Sequence, residues 1–598
     1  MGWLAHSFAR ALAGSAVLAC VPGLALLAQE APRDPAADRV SSIEIGELAP
    51  AQIENLVTLG KVWGFLKYHH PRVTVGELDW DAELFRVMPA VLAAPDRDQG
   101  NHALLEWVTR IGEPAPCSPC AEARSDAQTQ PEIDWIRDEA RLGGALSGYL
   151  ARVHRNRPTA VEQHYVSFVP NIGNPVFDRE KAYKELEAPD AGFRLLALFR
   201  FWNVAEYWSP YRELIGENWD AVLAEFVPRL VAAREGVEYR HQMITAIARL
   251  NDGHANLYGW RDARPPTGMG LVPVIVRFVE GRPIVVGDLP TKSSAAQNEL
   301  RTGDVLRALD GQAVEALVQA WSPFYAASNE TARLRDIGYD FLRGAPGPVA
   351  VEVERGGERL QLTAARLPES EVDMAAAWKH DLPGETFRLL TPEVAYLKLS
   401  SVHAKEVEAY VRSAEGTRGW VIDIRNYPSE FVVFALGQHL VKEPTPFVRF
   451  TQGSAANPGA FAWTEPLMIQ PKEPHYEGRI VILVDEASQS QAEYTAMALR
   501  AAPSARVVGS TTAGADGDAS RLALPGARTA ISGIGVFYPD KKPTQRVGIV
   551  PDVVVRPTIA GVREGRDEVL EEALRQILGS EKPDAEIRAI ATAAVGGR

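Results

Sequence analysis

Four short, almost wholly apolar runs in the C-terminal half of this chain constrain its fold most: VAYLKL (394–399), GWVIDIR (419–425), IVILVDE (480–486) and ARVVG (505–509). A strand with one solvated face alternates apolar and polar residues, whereas a strand covered on both faces does not. From about residue 370 this pattern predicts a largely parallel sheet between two helical layers, with helices at roughly 429–441 and 490–501 and a last one near 567–577. The third run enters the second helix directly, with Ser490 at the join. A serine at such a corner presents its Oγ above the sheet edge, beside first-turn amides that no helical carbonyl has claimed. Helix capping without chemistry is the competing reading of that position taken alone.

The N-terminal half carries a duplication. Residues 59–94 resemble residues 198–233, with Trp63, Tyr68, Pro71, Trp80 and Pro89 matching Trp202, Tyr207, Pro210, Trp219 and Pro228 at one common offset. Apolar residues at helical spacing predict a helical hairpin in each copy, its aromatics forming core. The same offset sets TRIGEPAP (109–116) against ARLNDGHAN (248–256) and places His254 opposite Ala115, so only the second copy can do imidazole chemistry there. We take 45–260 as this helical region, ending in the His254 loop. Residues 270–367 read as strands and turns, and 370–580 as the α/β region. Residues 581–598 read as a tail.

With 598 residues the chain has room for three or four domains, and its net charge of −14 argues against nucleic acid or an anionic membrane surface as partner. Residues 1–28 read as a secretory signal peptide: Arg10 precedes an apolar run broken by Pro22 and Gly23, ending at Ala28. The expected product is exported, periplasmic or secreted, and has no integral membrane segment once the signal is removed. Cys20 is a weak match to a lipoprotein signal. The other cysteines, Cys117 and Cys120 in PCSPC, lack the further ligands a structural zinc needs and are expected to form a local disulfide.

Several of these features follow one another in a known order. Arg301–Val314 resembles the strand and turn of a PDZ domain, a module that binds peptides as an added edge strand. It is followed by DIR (423–425), the Ser490 corner, GSTTAG (509–514) and GIVPD (548–552). Over about 245–577 this succession resembles the carboxyl-terminal processing, or tail-specific, serine protease family. The resemblance implies a crotonase/Clp-protease-like ββα core with a PDZ-like β-rich insert, to which this chain adds an N-terminal duplicated helical region. It implies Ser490 as nucleophile, with Glu493 three residues on. Where the Ser-Lys branch carries its lysine stands Ala515, so the resemblance is to the tricorn-like Ser-His branch, with His254 as general base.

The chain departs from that pattern in three places. Gly253 stands where tricorn-type sites have a serine that relays to a distant glutamate, and Gln545 stands where related sequences often have an acidic residue. Gln545, Asp252 and Glu493 are the candidates for orienting His254. NYPSE (426–430) replaces a glycine-rich loop whose backbone gives one oxyanion donor, leaving the Gln491 amide as one donor and Ser429, or Glu430, as the other candidate. His403 and His439 fall outside the motifs and read as structural. The sequence thus predicts an exported serine endopeptidase acting on unfolded or extended polypeptide through an acyl-enzyme, with no cofactor and no metal. A non-catalytic peptide-binding or scaffolding protein of the same fold is the alternative. Acyl-thioester chemistry on a similar sheet is a third reading, disfavoured because nothing resembles a nucleotide-binding loop. Oligomeric state is not legible.

Overall fold

A computed structural model of the chain describes residues 41–122, 124–259, 263–292 and 298–596. The signal-like segment and Cys20 lie outside the described residues. No helix among them is long and apolar enough to cross a membrane.

The helical region is built around two long helices, Pro50–His69 and Ala191–Trp208, one from each copy of the duplication. Asp190 caps the second by accepting the Phe193 amide at 3.1 Å. Gly60 and Gly64, one turn apart on the first, let them pack closely: a Cβ at Gly60 would stand 2.7 Å from the Phe199 ring. Within each copy the two matched tryptophans exchange hydrogen bonds. Trp63 and Trp80 each donate Nε1–H to the other's carbonyl at 3.0 Å, and Trp202 and Trp219 do the same at 2.8 and 3.1 Å. The shared tryptophans therefore set the hairpin angle of both copies while burying their indoles.

Residues 270–368 form a β-rich domain whose strands Val274–Val279, Arg282–Asp288, Val305–Leu309, Gly347–Arg355 and Glu358–Pro368 lie in one antiparallel sheet. Helices Val314–Trp321 and Glu330–Asp340 pack with it.

The α/β region holds a six-stranded sheet. Phe387–Thr391 pairs antiparallel with Val394–Lys398, which is followed in parallel order by Gly419–Asp423, Arg479–Val484, Ala505–Gly509 and Val553–Val554. Separate apolar cores cover its two faces. The helix Gln491–Arg500 that follows Ser490 contributes to one, and Glu568–Leu578 with Asp584–Gly596 to the other. Two boundaries differ from the sequence expectation. The segment at 429–441 yields only the short helix Val433–Gly437, its start taken up by an extended loop through Pro428. The expected tail instead holds a further helix, which buries Ile587 and Ala591 against the sheet.

A hairpin of Ala519–Leu524 and Ala527–Ser532 leaves the α/β region and lays Leu522, Leu524 and Ile531 into the helical core. Its turn is held there by hydrogen bonds from the Arg200 guanidinium to the Ala523 carbonyl (2.9 Å) and from Tyr239 Oη to the Pro525 carbonyl (2.7 Å). A further link is Ala127–Thr129, which pairs antiparallel with Phe461–Trp463. Cys117 and Cys120 are joined by a disulfide, with Cα atoms 5.1 Å apart.

Candidate active site

The strand Arg479–Val484 ends in a tight turn, where Ser488 Oγ donates to the Ile424 carbonyl of the neighbouring strand at 2.7 Å. Two residues on, Ser490 has φ 57° and ψ −118°, a conformation costly for any side-chain-bearing residue. An ordinary N-cap sits in the β region, so capping does not account for this geometry. Neighbours fix it: the Ser490 amide donates to the Ala515 carbonyl (3.0 Å) and to Glu493 Oε2 (3.1 Å). Ser490 is partly exposed, and its Oγ donates to the Gly517 carbonyl at 3.3 Å.

Glu493 faces the loop at Thr512–Ala515, not His254. Its buried carboxylate accepts the amides of Ser490, Gly514 (2.8 Å) and Ala515 (3.0 Å) and the Thr512 hydroxyl. Burial pulls its pKa upward, and these four donors oppose that pull. Asp516 lies nearby with one donor, the Gly517 amide at 2.7 Å, and its other oxygen is buried without a partner. Burial, then the charge of Glu493, push Asp516 well above the ordinary carboxylate range.

His254 stands in the loop that follows helix Gly236–Ala248 and is buried. Its Nδ1 lies 2.9 Å from Ser532 Oγ, at the end of the hairpin, and Ser532 Oγ donates to Asp252 Oδ1 at 2.9 Å. Asp252 also accepts the amides of His254 (3.0 Å) and Ser532 (2.6 Å) and Nε2–H of Gln545 (3.3 Å). An ionised carboxylate only accepts, so the single Ser532 hydroxyl proton points to Asp252, and Ser532 Oγ can meet His254 only as an acceptor. That assigns the proton of a neutral imidazole to Nδ1 and leaves the Nε2 lone pair free, the tautomer a general base requires. Asp252 itself is 3.7 Å from Nδ1, too far for a direct hydrogen bond. Gln545 acts one step further out, on Asp252 and on Ser328 Oγ (3.3 Å).

The two halves of the site meet along Gly253. The Gln489 side chain donates to its carbonyl at 3.4 Å, and a Cβ at Gly253 would lie 2.9 Å from the Ala515 Cβ. The histidine loop thus packs on the residue preceding Ser490 and on the residue whose carbonyl binds the Ser490 amide. Ala515, fully buried at that contact, leaves no room for a lysine while the loop is in place. Ser490 and His254 share no hydrogen bond here, since Ser490 Oγ is turned to Gly517.

Of the oxyanion candidates, the Gln491 amide opens the helix and has no partner among the described residues. The Ser429 amide is engaged by the Leu399 carbonyl at 2.9 Å. Arg425 anchors the base of that loop through Asp423 (2.7 Å) and Asp567 (2.8 Å). His403 pairs with Glu430, and His439 with the Pro474 carbonyl, and neither shares a hydrogen bond with Ser490. One cluster among the described residues, His380, Asp485 and Glu486, brings ligand atoms within 4.8 Å of one another, but Arg277 Nη2 reaches both carboxylates at 3.3 and 2.6 Å and supplies their counter-charge. Sequence reading missed Ser532, which lies in no recognisable motif, since a serine ending a strand carries no signal of its own.

Residues 393–555 match the model of peptidase family S41. The match encloses Ser490, Ser532 and Gln545 and leaves Asp252 and His254 outside. No curated protein matches the chain. Among solved structures, mature CPAF superposes with a TM-score of 0.51 at 13% identity, over 66% of this chain and 99% of CPAF. CPAF complexed with lactacystin gives 0.50 at 14% identity, over 62% and 95%. The photosystem II D1 C-terminal processing protease gives 0.37 at 18% identity, over 65% and 98%. The two CPAF superpositions show a shared fold.

Proposed function

We propose that this chain, a serine-type peptidase by the S41 domain at residues 393–555, cleaves extended polypeptide through an acyl-enzyme on Ser490 with His254 as general base. The observation that carries the reading is the ordered path from His254 Nδ1–H through Ser532 Oγ to Asp252, which leaves the Nε2 lone pair free on a loop packed against Gln489 and Ala515. Ser490 Oγ leaves the Gly517 carbonyl and attacks the scissile carbonyl carbon, while His254 Nε2 takes its proton. The oxyanion is met by the Gln491 amide at the helix N-terminus. Collapse breaks the C–N bond, and His254 protonates the leaving amine. Water then attacks the ester with its proton going to His254, and Ser490 Oγ recovers that proton as the acid product leaves. Ser532 and Asp252 stabilise the imidazolium in both steps.

The β-rich domain supports recognition of extended segments. It resembles a peptide-binding module, and its Arg335 donates to the Glu486 carbonyl (2.7 Å) and to Gln489 Oε1 (2.8 Å), just before the nucleophile. The signal-like first 28 residues and the Cys117–Cys120 disulfide support an exported location. The test is fluorophosphonate labelling and turnover of an unstructured protein by the mature exported chain. Both should vanish in Ser490→Ala, and turnover should fall by several orders of magnitude in His254→Ala. Labelling that survives Ser490→Ala sinks the assignment of the nucleophile. A chain recovered with residues 1–28 intact, and only in the cytoplasm, sinks export.

A further inference from the structure

The loop that carries His254 is tight, and its position is set from outside itself. Asn251 has φ 53°, and Asp252 accepts the His254 amide through its side chain (3.0 Å) and the Ala255 amide through its carbonyl (2.9 Å), so residues 251–255 turn as one piece around Asp252. Gly253 has no side chain to pack, and its backbone holds that piece in place. Its carbonyl accepts Gln489 Nε2 at 3.4 Å, while its N–H donates to Ser328 Oγ at 2.8 Å. Ser328 is 1% exposed and belongs to the β-rich domain, 75 residues on in the chain, just before helix Glu330–Asp340. A hydroxyl oxygen has two lone pairs, and the second takes Gln545 Nε2–H at 3.3 Å, the same amide group that donates to Asp252 Oδ1. The start of that helix reaches the rest of the site as well. Asn329 caps it by accepting the Ala332 amide (2.9 Å) and donates through Nδ2 to the Thr512 carbonyl (2.8 Å), in the loop whose amides bind Glu493. Further along, Arg335 holds the Glu486 carbonyl and Gln489 Oε1. One short stretch of the β-rich domain thus ties the histidine loop, the Thr512–Ala515 loop and the turn before Ser490 to one another.

We infer that Ser328 is a positioning residue for His254: its Oγ fixes the loop through the Gly253 N–H and holds Gln545 on Asp252, so that the β-rich domain completes the general-base side of the site. The inference rests on the proposed peptidase reading. Ser328 shares no hydrogen bond with His254 or Ser490 among the described residues, so its effect passes through the loop alone. For proton transfer His254 Nε2 has to come within hydrogen-bond reach of Ser490 Oγ, and a displacement of about 1 Å at that point can cost roughly 100-fold in rate. Without the Ser328 hydroxyl the Gly253 N–H loses its acceptor, and the turn around Asp252 is free to shift as a unit.

The experiment compares the parent chain with Ser328→Ala, which deletes the acceptor, and with Ser328→Cys, which nearly keeps the volume but offers only a weakly accepting sulfur, so the comparison stands even if the alanine variant does not fold. In both variants the rate of fluorophosphonate labelling at Ser490 and kcat on an unstructured peptide should fall roughly 10- to 100-fold, with KM within about threefold. With His254→Ala already in place, either Ser328 substitution should slow labelling by no more than about twofold further, because the group being positioned is gone. A role confined to stability would leave the loss undiminished in that background, and this result overturns the assignment. Labelling and kcat within about twofold of the parent in the Ser328 variants overturn it as well. A parent chain that neither labels nor cleaves fails the peptidase reading and this assignment with it, whereas a parent that does both while the Ser328 variants match it fails this assignment alone.

Discussion

Replacing Ser532 with alanine isolates the relay behind His254. Ser532 Oγ is 2.9 Å from both His254 Nδ1 and Asp252 Oδ1, whereas Asp252 Oδ1 is 3.7 Å from Nδ1. Deleting the hydroxyl therefore removes the acceptor of Nδ1–H without giving it another. The fold should survive, because the Ser532 amide keeps its 2.6 Å bond to Asp252 Oδ2 and the hairpin keeps its apolar anchors. In the transition state the imidazole is charged, and a hydrogen bond to a charged group contributes about 1.5–3 kcal/mol. The expected loss in kcat is roughly 10- to 150-fold, with KM little changed. Asp252→Asn also removes the counter-charge. At 3.7 Å and an effective dielectric of ~20 the attraction is about 4.5 kcal/mol, which sets a limit near 10³-fold. Steady-state kinetics on a quenched fluorescent peptide measure both variants, and a double-mutant cycle with His254→Ala separates relay from general damage. In the His254→Ala background Ser532→Ala should cost nothing further. The reasoning is refuted if Ser532→Ala alone leaves kcat within twofold of the parent, or if its loss is undiminished when His254 is already absent.

Asp516→Asn tests the upward shift of the buried carboxyl in the loop after Gly514. Its folded pKa is raised above the unfolded value of about 3.9, so its stabilising contribution is complete below that value and is lost as pH rises through the folded pKa. Asparagine mimics the protonated form, so the melting temperature of the variant minus that of the parent should grow as pH rises above about 4; a difference constant from pH 4 to 9 contradicts this. Gly253→Ala places a Cβ 2.9 Å from the Ala515 Cβ, and neither atom can swing aside. Thermal melts should show about 1–3 kcal/mol of destabilisation and kinetics a loss of roughly tenfold or more in kcat, largely restored by adding Ala515→Gly. Parental kcat in Gly253→Ala alone would show that this contact does not position His254.

The sheet, the corner and the duplicated hairpins were legible because their causes are local. Continuous apolar runs demand cover on both faces, and the matched Trp63–Trp80 and Trp202–Trp219 pairs each bond within one hairpin. Ser490 followed three residues later by Glu493 is likewise a one-turn relation, written within a few residues of sequence. Local rules failed where a segment's partners lie elsewhere: of the helix expected over 429–441 only Val433–Gly437 forms, and the Ser429 amide at its expected start is held by the Leu399 carbonyl instead. They were also silent on the last helix, whose apolar residues have meaning only against the far face of the sheet.

The surroundings of Ser490 divide in the same way. The sequence by itself determined a serine at a strand-to-helix corner, a histidine in a distant loop and three candidates to orient it. Only the tertiary structure decided how Asp252 reaches that histidine, because the relay closes through a hydroxyl 278 residues away in the chain and depends on a hairpin from one region being buried in the core of another. Periodicity and capping act over a single turn and can be read from neighbouring residues. A bond between residues far apart in sequence exists only once packing has brought their backbones together, and nothing in the local pattern around Ser532 marks it as a partner of His254.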